Sequence, residues 1–513
     1  MTTWLQGLID GVDAISRWIT GGWGGGSTYA LSRWVFLRAV GLVYLIAFVS
    51  LWVQVKGLIG AHGILPVQDY LSALRGMLGP ERYRLAPTVF WLGASDTALQ
   101  LACAAGATAA LLVVCDVLPA PTLLILWALY LSFETVGQDF LAFQWDVLLL
   151  EAGLLAVLYA PWSALPGRGL ARAAPAFPLV LLWWLLFRLT FESGIVKLLS
   201  GDPTWRNLSA LDYHFWTQPL PTWTAWYMAH LPAWCKRFMV LATYVLEIGF
   251  PFLMWGPRWA RLAACGGIVF LQLLIFATGN YTFFNLLTIA LALLLVDDAL
   301  WARVLPARLV QAAAPAATAS GRPVGAAFAV LCLGAALLYA ANVKVLYTLW
   351  PDVRVVRPLA APVAWLEPLR SANGYGLFRV MTTERVEIVI EGSDDGVTWQ
   401  PYEFRYKPGD PARRPGFVEP HQPRLDWQMW FAALSSYDQT PWLQPLLTRL
   451  LQGSPDVVAL LGRNPFPTHP PTYVRAVAYD YHFTTSAERR ATGAWWVRAP
   501  LGAYSPVVSL QRK

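Results

Sequence analysis

The chain has 513 residues, of which 57% are hydrophobic and only 13% are charged, and its net charge is +7. Soluble globular proteins carry about 25% charged residues, so this composition excludes an ordinary soluble protein and indicates a membrane protein. The cations stand mostly in loops beside apolar runs, without a basic patch of interleaved aromatic residues, which predicts membrane lipids and no nucleic acid as partners.

Residues 1–33 precede the first long apolar run and form an N-terminal segment with a linker. In WLQGLIDGVDAISRWI the apolar residues recur at helical spacing, which predicts an amphipathic helix lying on the membrane surface. The following GGWGGGST is typical of a flexible linker. The apolar run that begins near residue 34 is too long for a signal-peptide core and lacks an A-x-A end, so we expect a retained helix.

Residues 34–349 alternate long apolar runs with short loops and form the predicted transmembrane domain. Length and apolarity predict about nine spans. They lie at roughly 34–55, 93–117, 120–138, 145–162, 177–199, 238–256, 259–278, 282–298 and 325–348. The distribution of lysine and arginine among the short loops predicts a cytoplasmic N-terminus, and an odd number of spans then places the C-terminal part outside.

Four loops are dense in aromatic, polar and turn residues, whereas the loops between them are plain. They are KGLIGAHGILP (56–66), ETVGQDFLAFQWD (134–146), LSGDPTWRNLSALDYHFWTQPLPTWTAWY (199–227) and TGNYTFFN (278–285). In the predicted topology all four share the external face with the C-terminal domain. Chemically specialised loops on one face indicate a working surface there.

From residue 350 to 513 the pattern changes to an extramembrane, β-rich domain. RVEIVIEGSDDGVTWQPYEFRYKPGD has alternating β-formers on both sides of a DDG turn, which predicts a hairpin. TYVRAVAYDYHFTT (472–485) predicts another strand, and RLDWQMWFAALSS and PWLQPLLTRLLQ predict short amphipathic helices. The predicted fold class is therefore a polytopic α-helical membrane protein with a C-terminal soluble β-rich, β-sandwich-like domain.

Long stretches of this chain resemble the lipase maturation factor family. They include FLRAVGLVYLIAFVSLWVQVKGLIGAHGILP, FQWDVLLLEAGLLA, SGIVKLLSGDPTWRNLSALDYHFWTQPLPTWTAWY, NYTFFNLLTIALALLL, NGYGLFRVMTTERVEIVIEGSDDGVTW and PHQPRLDWQMWFAAL. The resemblance implies a multi-pass membrane protein whose animal members sit in the endoplasmic reticulum and help secreted lipases to become folded, dimeric and active. Such a protein would act on a client protein at its external or lumenal face.

The alanine-rich composition and the lack of cysteine after residue 332 favour a bacterial member of that family. We then expect a location in the bacterial inner membrane, with the C-terminal domain on the non-cytoplasmic side. In a eukaryotic host the expected location would be the endoplasmic reticulum membrane, and the client of a bacterial member need not be a lipase.

A shorter likeness concerns GIVKLLSGDPTW (194–205). It is similar to the lysine-bearing segment of vitamin K-dependent carboxylases and their bacterial relatives, in which the lysine is the base for the hydroquinone. Gly194, Lys197, Leu198 and Trp205 match that pattern, and the likeness implies Lys197 as a catalytic base in a membrane enzyme.

The residues around Lys197 leave two interpretations open. A lysine at a helix end can snorkel to the interface, with its stem in lipid. Alternatively it is buried and acts as a base or holds an anion. At about 100° per residue it lies opposite Arg188, which can pair with Glu192 four residues on. It shares its own face with Ser193 and Gly194, whose small size lets a neighbouring helix approach.

Other polar residues near this motif also have structural alternatives. Asp202 and Pro203 form a helix-start signal, with Asp202 as N-cap, and the apolar stripe that begins at Trp205 predicts a helix along the membrane surface. Asp212 and His214 could be ligands, but they lack further spaced partners. Structural hydrogen bonding is favoured for both, and no metal or cofactor is predicted.

Glu134, Glu151 and Glu247 lie in predicted spans, where charges normally face the bundle interior and pair, and we expect Glu151 and Glu247 to hold helices together. Asn280 begins an Asn-Tyr-Thr sequon, which matters only in a host that glycosylates. No GxSxG, P-loop or paired-cysteine motif occurs, so an intrinsic lipase is not expected.

Three functions remain in view. The leading hypothesis is a membrane-embedded maturation factor that assists the folding or assembly of exported client proteins. The alternative is an integral membrane enzyme, related to quinol-dependent carboxylases, with Lys197 as base. A transporter is disfavoured because the chain shows no inverted repeat.

Overall fold

The computed structural model describes residues 2–21, 26–166, 169–313, 323–350 and 359–510. In these ranges six helices are long and apolar enough to cross a membrane. They are α2 (Ala30–Trp52), α6 (Asp96–Val114), α7 (Pro119–Val136), α9 (Ala176–Leu199), α15 (Arg258–Thr278) and α19 (Val324–Leu349). They coincide with six of the predicted spans, and the chain is a multi-pass membrane protein.

The other three predicted spans fall on shorter or interrupted helices, so the count of nine is not confirmed. One is α8 (Gln144–Tyr159), with 16 residues. The second is divided into α13 (Ala233–Tyr244), a π-helical turn (Val245–Gly249) and α14 (Phe250–Leu253). The third is α16 (Phe284–Ala292), which continues as a 3₁₀ turn, Leu293–Leu295.

Shorter helices fill the N-terminus and the loops. They are α1 (Thr2–Thr20), α3 (Val55–Ile59), α4 (Val67–Leu78), α5 (Arg82–Leu85), α10 (Pro203–Arg206), α11 (Ala210–Thr217), α12 (Trp223–Ala229), α17 (Asp298–Trp301) and α18 (Ala307–Ala313). The predicted N-terminal helix is present as α1. Its exposed face carries Trp4 and Trp18, as an amphipathic helix beside lipid requires.

The C-terminal domain contains one antiparallel sheet with strand order β2-β1-β3-β4. Its strands are β1 (Val386–Ser393), β2 (Gln400–Pro401), β3 (Tyr473–Phe483) and β4 (Trp496–Ala503). The predicted hairpin is confirmed: β1 pairs with β2, and the side chain of Asp395 accepts hydrogen bonds from the backbone N–H groups of Val397 and Thr398 in the turn.

Helices accompany this sheet, as the sequence predicted. They are α20 (Arg424–Ala432), α21 (Leu443–Leu451), α22 (Pro455–Val458) and α23 (Ser486–Thr492). Since α20 packs on β1 and α21 packs on β3, helices cover the sheet where a sandwich would place a second sheet. The sandwich-like expectation is therefore wrong for the part of the domain that the structure describes.

The C-terminal domain rests on the four loops that sequence composition had grouped together. One contact from each loop is Ser454 Oγ to His62 O at 2.7 Å, Arg424 to Asp146 at 2.8 Å, Trp226 Nε1 to Thr484 O at 3.0 Å, and Asn280 Nδ2 to Gly416 O at 2.9 Å. Loops and domain thus form one continuous structure at one end of the helix bundle.

Candidate functional site

A cavity of about 130 Å³ lies among α9, α11, the interrupted helix 233–253, α15 and α16. Leu377 and Phe378 of the C-terminal part close one side of it. Its polar lining is formed by Thr190, Ser193, Lys197, His214, Thr243, Glu247, Gln272, Tyr281, Asn285 and Thr288. The remaining lining is largely aliphatic and aromatic, so the cavity has a polar cluster set in an apolar wall.

Lys197 is inside the protein and ion-paired. Its side chain is only 7% exposed, and Nζ donates to Glu247 Oε2 at 2.6 Å and to Ser193 O at 2.7 Å. The ammonium also lies 5.4 Å from the ring centroid of Trp205, within range of a cation–π interaction. The ammonium does not reach the surface as snorkelling requires, so the structure favours the buried interpretation.

The approach of Glu247 to Lys197 follows from two features of the local sequence. Gly194 provides the space: a Cβ there would lie 2.8 Å from Glu247 Cβ and 2.6 Å from Ile248 Cγ1. Pro251 provides the distortion, because its ring cannot sit against the carbonyl four residues back, which belongs to Glu247. The helix widens there into the π turn Val245–Gly249, and such turns are frequent at functional sites.

His214 also lines the cavity and is neutral near pH 7. Burial lowers its pKa to about 4, and the neighbouring positive charge of Lys197 acts in the same direction. Its Nε2 lies 3.4 Å from Tyr281 Oη, and the Tyr281 hydroxyl donates to Gln218 Oε1 at 2.8 Å. The imidazole therefore supplies one donor and one acceptor, and no charge.

Asp202 and Trp205 join the lysine-bearing segment to the C-terminal part. Asp202 is the predicted N-cap: Oδ1 accepts from the backbone N–H of Thr204 at 2.7 Å, while Oδ2 accepts from Met381 N at 2.5 Å. Trp205 Nε1 donates to Phe378 O at 3.0 Å. The apolar stripe that begins at Trp205 packs against Val240 and Met381. It lies on two short helices, α10 and α11, and their position along the membrane surface stays a prediction.

Asp212 and His214 have separate environments. Asp212 forms an ion pair with Lys236 at 2.7 Å and is 37% exposed, which agrees with a structural role. His214 instead faces the cavity. The structure therefore does not bring the two together as ligands of one ion.

Glu151 belongs to a second buried cluster, between the bundle and the chain that enters the C-terminal domain. It forms an ion pair with Arg188, and its Oε2 accepts from Tyr375 Oη at 2.8 Å. Glu192 accepts from Tyr375 N at 2.9 Å. The predicted pairing of Arg188 with Glu192 is thus replaced by a pairing across helices, since α8 brings Glu151 against the same face.

Glu134 and Asn280 also contact the C-terminal part. Glu134 faces Arg370 at 3.4 Å. The amide of Asn280 donates to Leu220 O at 3.0 Å and accepts from Val418 N at 2.7 Å. Because Asn280 is 3% exposed and its amide is engaged, the structure gives it a role in holding the domain rather than in accepting a glycan.

Sequence reasoning placed Glu247 among helix-pairing residues and did not single out Gln272, Tyr281 or Asn285. The sequence did contain a signal for Gln272 and Asn285, because both are amide residues inside apolar stretches. In a membrane domain such residues mark functional positions or hydrogen bonds between helices. Tyr281 gave no signal of its own, because an aromatic residue at a helix start is ordinary.

Comparison with known proteins covers both parts of this structure. The lipase maturation factor transmembrane domain model matches residues 31–303, and the lipase maturation factor C-terminal domain model matches residues 371–506. The chain belongs to the lipase maturation factor family. It is 39% identical to human lipase maturation factor 2 over 94% of this chain and 83% of the relative.

Other relatives extend the same similarity. Chicken lipase maturation factor 2 is 37% identical, and the alignment covers 93% of this chain and 81% of the relative. Bovine lipase maturation factor 1 is 34% identical, and the alignment covers 94% of this chain and 90% of the relative. No solved structure matches the chain. In this family member the cavity uses residues from both matched regions, since Lys197 belongs to the first and Phe378 to the second.

Proposed function

We propose that this protein assists the folding or assembly of exported client proteins, which it holds on the C-terminal domain and the loops beneath it. The observation that carries the proposal is similarity over more than 90% of the chain to proteins named lipase maturation factor 1 and 2. The hydrogen bonds between the domain and the loops support it, because they join both parts into one continuous surface that a client could contact.

The proposal includes the topology expected from the sequence, with an N-terminal segment at 1–33, a transmembrane domain at 34–349 and an extramembrane domain at 350–513. The three short or interrupted helices, α8, 233–253 and α16, would complete nine passages. The N-terminus then faces the cytoplasm, and the C-terminal domain faces the outside of a bacterial inner membrane, or the lumen of the endoplasmic reticulum in a eukaryotic host.

Reporter fusions test this topology. A reporter fused after residue 320 should lie in the cytoplasm, whereas one fused after residue 360 should lie outside. Reporters on the same side of the membrane at both positions would contradict the nine-passage arrangement. A fusion at the N-terminus provides the control for the cytoplasmic side.

Gene deletion tests the client role. Loss of the protein should lower the folded yield of at least one exported protein while pulse labelling shows normal synthesis of that client. Re-expression of the wild-type chain should restore the yield. An exported proteome that stays unchanged under several growth conditions would refute the proposal.

A second function, that of a membrane enzyme with Lys197 as base, is favoured by one observation. Lys197 lines a cavity and shares a 2.6 Å hydrogen bond with Glu247 Oε2. Proton transfer along that bond leaves a neutral amine beside a neutral carboxyl, and the amine can then accept a proton from a bound substrate. This step uses the chain's own groups and requires no metal.

Lys197→Arg distinguishes the two functions, because a guanidinium does not release its proton at neutral pH. If Lys197 is a base, Lys197→Arg should abolish function at normal protein abundance and reproduce whatever defect the gene deletion causes. Lys56→Arg is the control, since Lys56 also pairs with a carboxylate, Asp456, but is 42% exposed and lies outside the cavity. Full activity of Lys197→Arg would remove the enzyme hypothesis and leave the maturation role standing.

A further inference from the structure

The cavity around Lys197 contains polar groups that the protein itself does not satisfy. Gln272 and Asn285 both line it, and they are 6% and 0% exposed. Among residues within the described ranges, neither Gln272 Oε1 nor Asn285 Oδ1 has a hydrogen-bond partner. A buried acceptor without a partner is costly, and such groups in a native protein call for a bound molecule or another explanation.

The charges around the cavity cancel. Lys197 and Glu247 form an ion pair, and His214 is neutral because burial lowers its pKa to about 4. The phenol of Tyr281 is uncharged at neutral pH, since burial raises its pKa further above the ordinary value. A ligand with net charge would bring an uncompensated charge into a buried site, so this cavity favours a neutral ligand.

Much of the cavity wall is apolar. This apolar wall includes Leu189, Leu246, Ile268, Leu271 and Ile275. These residues have no hydrogen-bonding side chains, so they suit a hydrocarbon chain rather than a sugar or nucleotide. A ligand that satisfies both regions must therefore be amphiphilic, with a small polar head and an apolar tail.

The cavity lies close to the lipid-facing surface of the bundle. Helix 233–253 forms one side of it through Thr243, Leu246 and Glu247. The outer face of this helix carries the exposed apolar residues Phe238, Leu241, Val245 and Phe252. This helix therefore separates the cavity from the hydrocarbon core of the bilayer. An amphiphile dissolved in the bilayer has its apolar tail in that core.

We propose that this cavity binds a neutral amphiphile whose hydroxyl groups donate to Gln272 and Asn285. The tail lies along the apolar wall, and the Lys197–Glu247 pair and Tyr281 border the head. Two sources share this chemistry: an acylglycerol with free hydroxyls and an alkyl-substituted hydroquinone. The proposal concerns occupancy of the cavity and does not depend on the client role.

Binding to the purified full-length protein in detergent tests the proposal, with native mass spectrometry and a thermal-shift titration as readouts. The probes are 1-monooleoylglycerol, an alkyl hydroquinone, sodium oleate and a zwitterionic phosphocholine detergent with a matched chain. At least one neutral hydroxyl probe should bind at least tenfold more tightly than oleate, which is anionic, and than the phosphocholine detergent, which would bury two formal charges and has no hydroxyl to donate. The preferred neutral probe identifies which source supplies the ligand.

Two variants locate the site. Gln272→Leu removes one acceptor and should weaken binding by about tenfold, the effect of one lost hydrogen bond. Ile268→Phe narrows the cavity without removing a polar group and should also weaken binding. Gln100→Leu, which changes a glutamine in α6 away from the cavity, should leave binding as in the wild type.

Several results would overturn the proposal. One is failure of the wild-type protein to bind either neutral probe. A second is binding of oleate as tight as that of the better of the two neutral probes. A third is unchanged binding in both Gln272→Leu and Ile268→Phe. Because the wild-type selectivity is measured first, the proposal stays refutable even if one variant fails to fold.

Discussion

Arg424 provides the sharpest test of how the C-terminal domain is held on the membrane domain. Its side chain is 1% exposed, and it forms an ion pair with Asp146, which is fully buried. The guanidinium donates to Asp146 Oδ1 at 2.8 Å and Oδ2 at 2.9 Å, to Phe140 O at 2.7 Å and to Tyr130 Oη at 3.3 Å. It therefore joins the domain to both α7 and α8.

Arg424→Met should destabilise this interface by about 3–5 kcal/mol, because it leaves the Asp146 carboxylate buried without its cation. At 1.36 kcal/mol per power of ten, the population with an open interface rises by about two to four powers of ten. The double variant Arg424→Met/Asp146→Leu removes both charges and should be much less destabilised than the single variant.

Hydrogen exchange can measure this opening locally, so the experiment does not require two-state unfolding of a membrane protein. The backbone N–H of Gln422 donates to Ser50 Oγ at 2.8 Å, and that of Arg424 donates to Gln54 Oε1 at 3.1 Å. Both amides bridge the interface, and their protection factors should fall by the same two to four powers of ten in Arg424→Met.

The control is Arg463→Met in the same domain. Arg463 is 66% exposed and lies 3.4 Å from Glu403, an arrangement worth about 0–1 kcal/mol. Protection at the interface should therefore stay as in the wild type. Equal losses in Arg424→Met and Arg463→Met would refute the reasoning, as would a double variant whose loss equals the sum expected for two independent sites.

Two further predictions concern the packing of a buried glycine and the dependence of stability on pH. Gly57→Val should lower the yield of folded protein, because a Cβ at residue 57 would lie too close to the backbone oxygen of Asp456. Gly76→Ala is the control, because a Cβ at residue 76 meets no atom within 4 Å. The area of the folded peak in size-exclusion chromatography measures the yield of both variants. Burial raises the pKa of Glu419 from 4.5 to about 9, so the folded state keeps a proton that the unfolded chain releases. Its contribution to stability is fully present below pH 4.5 and is lost as pH rises toward 9. Glu419→Gln should flatten that part of the stability–pH curve, and an unchanged slope would contradict the prediction.

The long helices and the hairpin could be predicted because their signals are local. Six apolar runs appear as helices within a few residues of their expected bounds, and the DDG turn joins β1 to β2 as expected. The predicted count of nine spans is not confirmed, because three of the apolar runs form short or interrupted helices. Pro251 was visible in the sequence, but the contact between the preceding π turn and Gly194 depends on tertiary packing, which no local pattern records.

The candidate site was predictable only in part, because its partners are far apart in the chain. Helical periodicity placed Lys197 and Gly194 on one face and indicated that a neighbouring helix could approach. It could not show that Glu247 arrives there, since no local pattern records which helices pack together. The same limit explains Arg188: its local partner was Glu192, whereas tertiary packing offers Glu151.

The side of the cavity that faces the C-terminal domain connects the proposed client role with the proposed amphiphile binding. Asp202 accepts from Met381 N, and Trp205 donates to Phe378 O, so the segment after Lys197 holds the chain that closes one side of the cavity. A client that displaced residues 377–381 would remove both hydrogen bonds and open that side. Ligand affinity would then depend on whether a client is bound.

This dependence is reciprocal. If a client lowers the affinity of the cavity for an amphiphile by some factor, the amphiphile must lower the affinity for the client by the same factor. Asp202→Ala removes the acceptor for Met381 N and the N-cap of α10, and it changes no residue that lines the cavity. It should therefore weaken amphiphile binding without removing any group that contacts the ligand. Unchanged binding in Asp202→Ala would show that the two surfaces are independent.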